Sequence, residues 1–302
     1  MKQKKLLIVL FLLPSVLIYS AFFLYPSIRT LLMSFYNIPD IASKTKEWSF
    51  VGLSNYEYLK NSSLFMQSMW NILKIWIFGG ISIMFLSFLF SVILTSGVKG
   101  KNFWKSVIYL PNVIASVAMA TMWTQYIYSD KYGLFKNIFK HLGLNGLANI
   151  QWLDSDHIFL ALMIAFGFGA IGYYMLILIS AIDGIPIDFY EAAVLEGANI
   201  FQKFFHITLP LLHDVFKTCV ILWTITAVNF LIWAQVFVNE APPQITTPGL
   251  YMYLKLFGIS KINSAEKLNV GIGAAVGIII TITIIIGTSI VNRLFHRERL
   301  EY

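Results

Sequence analysis

An all-α membrane protein with six transmembrane helices is the fold class this sequence predicts, and three observations predict it. Hydrophobic residues fill 58% of the 302 positions and charged residues only 12%, with a mean hydropathy of +0.72. A soluble domain carries about a quarter charged residues, so a chain at half that value belongs in lipid. The apolar residues also fall in runs close to the roughly 20 residues a helix needs to cross the hydrocarbon. Lys and Arg gather in short segments between certain runs and at both ends, which places those segments and both termini in the cytoplasm.

Lys2, Lys4 and Lys5 precede the first run, residues 6–24, which is nearly long enough to cross and shows no clear cleavage site. It reads as a retained span rather than a signal peptide. Residues 26–69 hold Pro26, Pro39, Asn55 and Asn61 and read as an outer loop with short helices. The second run, 72–95, ends at Gly97, Lys99, Gly100 and Lys101. The third, 107–126, carries Pro111 and Asn112, which a membrane helix tolerates when neighbours satisfy the freed carbonyl. The outer loop to His157 reads as a short amphipathic surface helix.

The fourth run, 158–179, contains Gly167-Phe-Gly169-Ala-Ile-Gly172. That string matches a dinucleotide fingerprint, but the fingerprint requires a strand before it and a helix after it, and inside a span it reads as close helix packing. The fifth run, 215–237, leads to a loop with Pro242, Pro243 and Pro248. The sixth, 270–291, is followed by Arg293, Arg297 and Arg299. The whole chain thus reads as one membrane domain.

Several function classes drop out. The net charge of +7 is spread over loops and termini without a basic patch interleaved with aromatics, which excludes nucleic acid. Cys219 stands alone, and His141, His206, His213 and His296 are scattered without ligand spacing, so no metal site is expected. Asp154, Ser155, Asp156 and His157 are consecutive loop residues and cannot form a catalytic triad. No catalytic residue is expected anywhere. All 15 acidic residues lie outside the runs, which disfavours an ion-coupled secondary transporter.

The polar interruption at 183–210 is the one stretch that carries a message. Pro186 suits a helix start with Asp183 and Asp188 near its positive end, and Gly197 permits a reversal that a Cβ would resist. Asn199 is a good N-cap for a second helix, which Pro210 ends. The resulting bracket is either an amphipathic interfacial connector or a docking knob, with Glu191 and Glu196 on a helix rich in small residues at Ala192, Ala193 and Ala198.

Glu191-Ala192-Ala193, then Glu196-Gly197-Ala198, Phe204, Ile207, Leu209 and Pro210, resembles the EAA loop of bacterial ABC importer permeases over twenty positions. Tyr25-Pro26-Ser27-Ile28-Arg29, the stretch Phe50 to Tyr56, Leu110-Pro111-Asn112 and Ile185-Pro186 are similar to the sugar-type branch related to the maltose and glycerol-3-phosphate importers. Sugar permeases usually carry a Gly-Gly-Pro-like string beyond the fifth span, where this chain has Asn239-Glu240-Ala241-Pro242-Pro243.

The resemblance implies the type I ABC importer permease architecture, in a multi-pass protein of the bacterial inner membrane. It also implies half of a translocation pore working by alternating access on a sugar or oligosaccharide. A non-sugar solute is the alternative. The expected partners are a second six-span permease, two cytoplasmic ATPase subunits and an extracytoplasmic solute-binding protein. The chain contains no G-x-x-x-x-G-K-[ST] string, so no cofactor is expected on it, and ATP and Mg belong to the partner ATPase. Glu191, Ala192, Ala193, Glu196, Gly197, Ala198, Phe204 and Pro210 are the expected ATPase-docking residues.

For the substrate path, Phe166 and Tyr173 are seven apart, as are Thr226 and Trp233, with Asn229 and Phe230 between them. Each set shares a helical face, and aromatic faces with a few amides suit sugars. Ordinary helix packing is the competing reading for each. An amide or phenol at membrane depth needs a partner, which favours a cavity for Asn229 and Tyr173.

Overall fold

The structure is a computed structural model that describes residues 2–237, 243–258 and 268–295. Helices follow one another along nearly the whole chain. They are α1 (Lys2–Tyr19), α2 (Tyr25–Met33), α3 (Ser54–Asn61), α4 (Ser63–Lys74), α5 (Gly80–Thr95) and α6 (Lys101–Val113). Next come α7 (Ser116–Met122), α8 (Leu134–His141), α9 (Asn145–Ala148), α10 (Ile158–Asp183), α11 (Ile187–Leu195) and α12 (Ile200–Lys203). The last are α13 (Leu209–Leu211), α14 (His213–Val228), α15 (Ile232–Phe237), α16 (Pro248–Phe257) and α17 (Val270–Leu294). A short antiparallel ladder pairs β1 (Tyr36–Asn37) with β2 (Ser49–Phe50).

Four stretches are long and apolar enough to cross a membrane: Leu10–Met33, Ser63–Thr95, Ile158–Asp183 and Val270–Leu294. Lys101–Val113 with Ser116–Ile127 forms a pair bent by 96°, and Ile200–Leu211 with His213–Val228 a pair bent by 58°. The count is therefore four, or six when each bent pair is one span.

The bends mark where the sequence reading needs correction. The helix of the first run does not stop at residue 24: after a π turn at Ser20–Leu24 it continues to Met33. Pro26 follows that turn, and the wider register, in which the Tyr25 amide donates to the Ser20 carbonyl, accommodates the proline ring that would clash in a plain α-helix. The run at 107–126 is not one helix. Pro111 withdraws a hydrogen bond from the last turn of α6, β-branched Val113 and Ile114 follow, and the chain is extended at Ile114 and Ala115 before α7. The run at 215–237 breaks at Asn229, whose side-chain amide donates to the Ile225 carbonyl at 3.1 Å. The Thr247 hydroxyl donates to the Phe230 carbonyl left without a helical partner, at 2.9 Å. Of the segments read from sequence, Asn239 to Pro242 and the tail residues His296, Arg297 and Arg299 lie outside the described residues.

The chain divides into two compact units, Met1–Met66 with Tyr251–Ile282, and Gln67–Leu250 with Thr283–Tyr302. In the first, Asn55 ties α3 to the ladder by donating to the carbonyls of Ser34 and Tyr36 at 2.8 and 2.9 Å. A Cβ at Gly271 would collide with the Tyr36 carbonyl, so only glycine lets the start of α17 lie there. Lys255 is buried, with Nζ 3.0 Å from the Tyr58 hydroxyl and over the rings of Tyr58 and Tyr251.

The second unit is built around α10, which packs along α5 and α6. Of the three glycines in its fingerprint-like string, Gly172 is the one that close packing demands, since a Cβ there would sit 2.7 Å from the Tyr109 Cα of α6. The α14 helix docks through Trp223, whose indole rests on Gly79 and Gly80 and donates to the Trp76 carbonyl at 2.9 Å. Trp76 in turn donates to the Thr224 hydroxyl at 2.9 Å.

Candidate functional site

Two neighbourhoods of the second unit collect the residues that sequence reasoning singled out. The first is the bracket α11 to α13. Pro186 holds the N-cap position of α11 and Asp188 lies in its first turn, where a carboxylate favours the helix dipole. Asp183 does not serve this helix end. It closes α10 and pairs with Lys101 at 2.9 Å.

The end of α11 is a Schellman motif. Gly197 sits at φ +76°, its amide donates to the Val194 carbonyl at 3.0 Å, and the Ala198 amide reaches the Ala193 carbonyl at 2.9 Å. Only two residues further, Asn199 opens α12 with a capping box: the Gln202 amide donates to Asn199 Oδ1 and the Asn199 amide to Gln202 Oε1, both at 2.8 Å. Local chemistry therefore fixes the reversal before any tertiary contact is made.

Pro210 does not end the second arm, contrary to the sequence reading. A π turn at Phe204–Thr208 precedes it, with the Leu209 amide donating to the Phe204 carbonyl, and α13 carries the helix to Leu211 before the bend at Leu212. The Tyr190 hydroxyl lies 2.8 Å from the Thr208 hydroxyl and ties the two arms. Phe204 packs against Phe88 of α5, with the rings tilted and 5.8 Å between their centres, so the bracket is seated on a long helix.

Glu191, Ala192, Glu196 and Gly197 are exposed, whereas Ala193, Ala198, Phe204 and Pro210 are half-buried. Beside the two glutamates the bracket presents Leu195, Ile200 and Phe201, which are 89%, 78% and 73% exposed. An apolar patch of this kind, rimmed by carboxylates, marks a surface that another molecule covers.

The second neighbourhood is a cleft of about 370 Å³ between α6, α7, α10, α14 and α15. It brings together four of the six residues expected on the substrate path, Phe166, Tyr173, Thr226 and Trp233. Phe166 is wedged edge-on between Phe230 at 4.8 Å and Trp233 at 5.4 Å. Phe230 is buried behind it and does not line the cleft. Asn229 also lies off the lining: it is exposed, with its amide turned back to its own helix.

Sequence reasoning missed Asn112, Ser116, Tyr174 and Ile225, which line the same cleft. The available signal was the Pro111-Asn112 pair inside an apolar run. The break it produces exposes the end of α6, and Asn112 donates across to the Gly169 carbonyl at 3.2 Å. Among the described residues no group of His, Cys, Asp or Glu is arranged to hold a metal.

Residues 85–300, from the middle of α5 through the bracket and the cleft to the C-terminal tail, match the family described as "Binding-protein-dependent transport system inner membrane component". The chain belongs to that family. The arabinooligosaccharides transport system permease protein AraP of Bacillus subtilis is 30% identical over 94% of this chain and 87% of its own length. The diacetylchitobiose uptake system permease protein NgcF of Streptomyces coelicolor is 25% identical over 86% of this chain and 75% of its own. The fold is similar to that of a bacterial ABC transporter involved in the import of the acidic polysaccharide alginate. The two chains are 19% identical with a TM-score of 0.78, over 97% of this chain and 96% of that one. The permease family is one of transport components rather than catalysts, and its members work with a solute-binding protein.

Proposed function

We propose that this permease forms half of the translocation pore of an ATP-driven importer for a sugar or oligosaccharide. In this reading each bent pair counts as one span, giving six spans with both termini in the cytoplasm and the Glu191 to Pro210 bracket on the same side. The bracket docks on one of two ATPase subunits, with Glu191 as the charged contact and Leu195, Ile200 and Phe201 as the apolar one. A second permease completes the pore. This chain binds no cofactor, and ATP and Mg act on the ATPase.

The observation that carries the reading is the bracket itself, a locally fixed turn that exposes large apolar side chains and is seated through Phe204 on α5. Motion received at the bracket reaches the cleft along α14, which begins at His213 and supplies Leu222, Ile225 and Thr226 to its lining. Aromatic walls at Phe166, Tyr173 and Trp233 with polar groups at Asn112, Ser116 and Thr226 match a sugar's C–H faces and hydroxyls. The relatives that carry arabinooligosaccharides and diacetylchitobiose support the same substrate class.

The test is transport in proteoliposomes that hold this chain, its partner permease, the ATPase and the binding protein. Labelled oligosaccharide is expected to accumulate only with ATP and binding protein present. Accumulation by this chain alone under an ion gradient refutes the importer reading.

A further inference from the structure

A second groove, of about 640 Å³, lies between α4, α5 and α10 and is lined by a different set of α10 residues from the substrate cleft. Its walls are apolar at Phe78, Ile83, Leu86, Met163 and Phe168, and Lys74 stands at one end. The Lys74 ammonium lies 6.0 Å from the ring of Phe159, the second residue of α10, so it sits level with the start of that helix. The lining runs from Lys74 to Leu86 on one wall and from Phe159 to Ile171 on the other. Twelve residues of helix advance about 18 Å, close to the ~15 Å of hydrocarbon that one bilayer leaflet supplies. The groove is thus one leaflet deep with a cation at its headgroup end.

On the protein side the ammonium meets the rings of Trp70 and Phe159, each at 6.0 Å, and no carboxylate. Among the described residues the ion pairs are Lys101 with Asp183 and His213 with Asp214, and no carboxylate lines this groove. A lysine at a membrane boundary with no acid facing it, above an apolar channel, is complementary to a phosphate ester that carries an acyl chain.

We propose that this groove binds an anionic phospholipid, with its phosphate on Lys74 and one acyl chain laid along Phe78, Ile83, Leu86, Met163 and Phe168. The site is separate from the substrate cleft and from the bracket, and it does not depend on which solute is carried. A bound lipid there fills the seam between α5 and α10, the second of which lines the substrate cleft.

The purified importer, stripped of endogenous lipid in detergent, is titrated with palmitoyl-oleoyl phosphatidylglycerol or with the phosphatidylcholine of the same chains, and bound lipids are counted by native mass spectrometry. The wild type is expected to prefer phosphatidylglycerol. Lys74→Gln lowers that preference by about fivefold, the share of one basic residue at a membrane surface, and Lys74→Arg retains it. Ser82→Trp, at an exposed groove position, reduces binding of both lipids. Unchanged preference in Lys74→Gln overturns the proposal. So does efficient cross-linking of Ser82→Cys to the partner permease in membranes, which would make the groove a protein interface.

Discussion

Gly197 offers the sharpest separation between what local geometry and what partner contact contribute. Its φ of +76° lies in the left-handed region, and nothing stands within 4 Å of where a Cβ would be. Gly197→Ala therefore meets no clash, and its cost is conformational, about 1–2 kcal/mol for an L side chain in that region. That is roughly a five- to thirtyfold bias against the folded-back turn. Gly197→Asn loses less, because asparagine tolerates the left-handed conformation. Gly197→Pro is a different event, since proline fixes φ near −65° and removes the amide that donates to Val194 at 3.0 Å. The turn then cannot form at all.

Because the position is exposed and outside the apolar runs, membrane insertion is unaffected in all three. The assay is binding-protein-stimulated ATPase activity and uptake in proteoliposomes, normalised to inserted protein. The expected order is Gly, Asn, Ala, then Pro, with Pro near zero on both measures. A proline variant with wild-type uptake, or alanine as inactive as proline, refutes the view that this turn positions the docking helix.

Gly80→Ala places a methyl about 2.6 Å from Trp223 Nε1, an overlap that the indole can relieve only by leaving the Trp76 carbonyl. A loss of about 1–3 kcal/mol is expected, measurable as a lower melting temperature of the detergent-solubilised complex. Gly172→Val meets backbone atoms of Ile108 and Tyr109 rather than a movable side chain, so α6 must shift and folded yield in a fluorescence-detected size-exclusion profile should collapse. Lys101→Ala should leave the melting temperature within error, since the side chains of the Lys101–Asp183 pair are 32% and 48% exposed and such pairs contribute under about 1 kcal/mol. Thr226→Val removes a hydroxyl from the cleft without altering volume. It is expected to raise KM for sugar uptake severalfold, with ATPase stimulation at saturating substrate preserved, as measured in the same proteoliposomes.

Patterns that repeat along the chain were legible without coordinates. Apolar runs announced a helical membrane protein because backbone groups in lipid must bond within their own segment. The Gly197 turn and the Asn199 cap were readable because each is decided by residues within five positions of one another. The pairing of Phe166 with Tyr173 and of Thr226 with Trp233 came from spacing alone, and all four reach one cleft.

What the sequence left open depended on competition between neighbours. Whether a proline breaks a helix was not visible in the proline itself. Pro26 and Pro210 ride over π turns and the helix continues, whereas Pro111 is followed within a few residues by extended backbone. Asn229 looked like a cavity residue because an amide at depth needs a partner, and it found that partner on its own helix at Ile225. Lys74 and Phe159 are 85 positions apart, and only the packing of α5 along α10 sets a cation at the mouth of an apolar groove. The sequence by itself determined that this is a helical membrane protein and where the bracket turns, since both follow from local hydrogen bonding and hydrophobicity. Tertiary structure alone decided which side chains share a cavity, because that is settled by which helices pack together and how far each can bend.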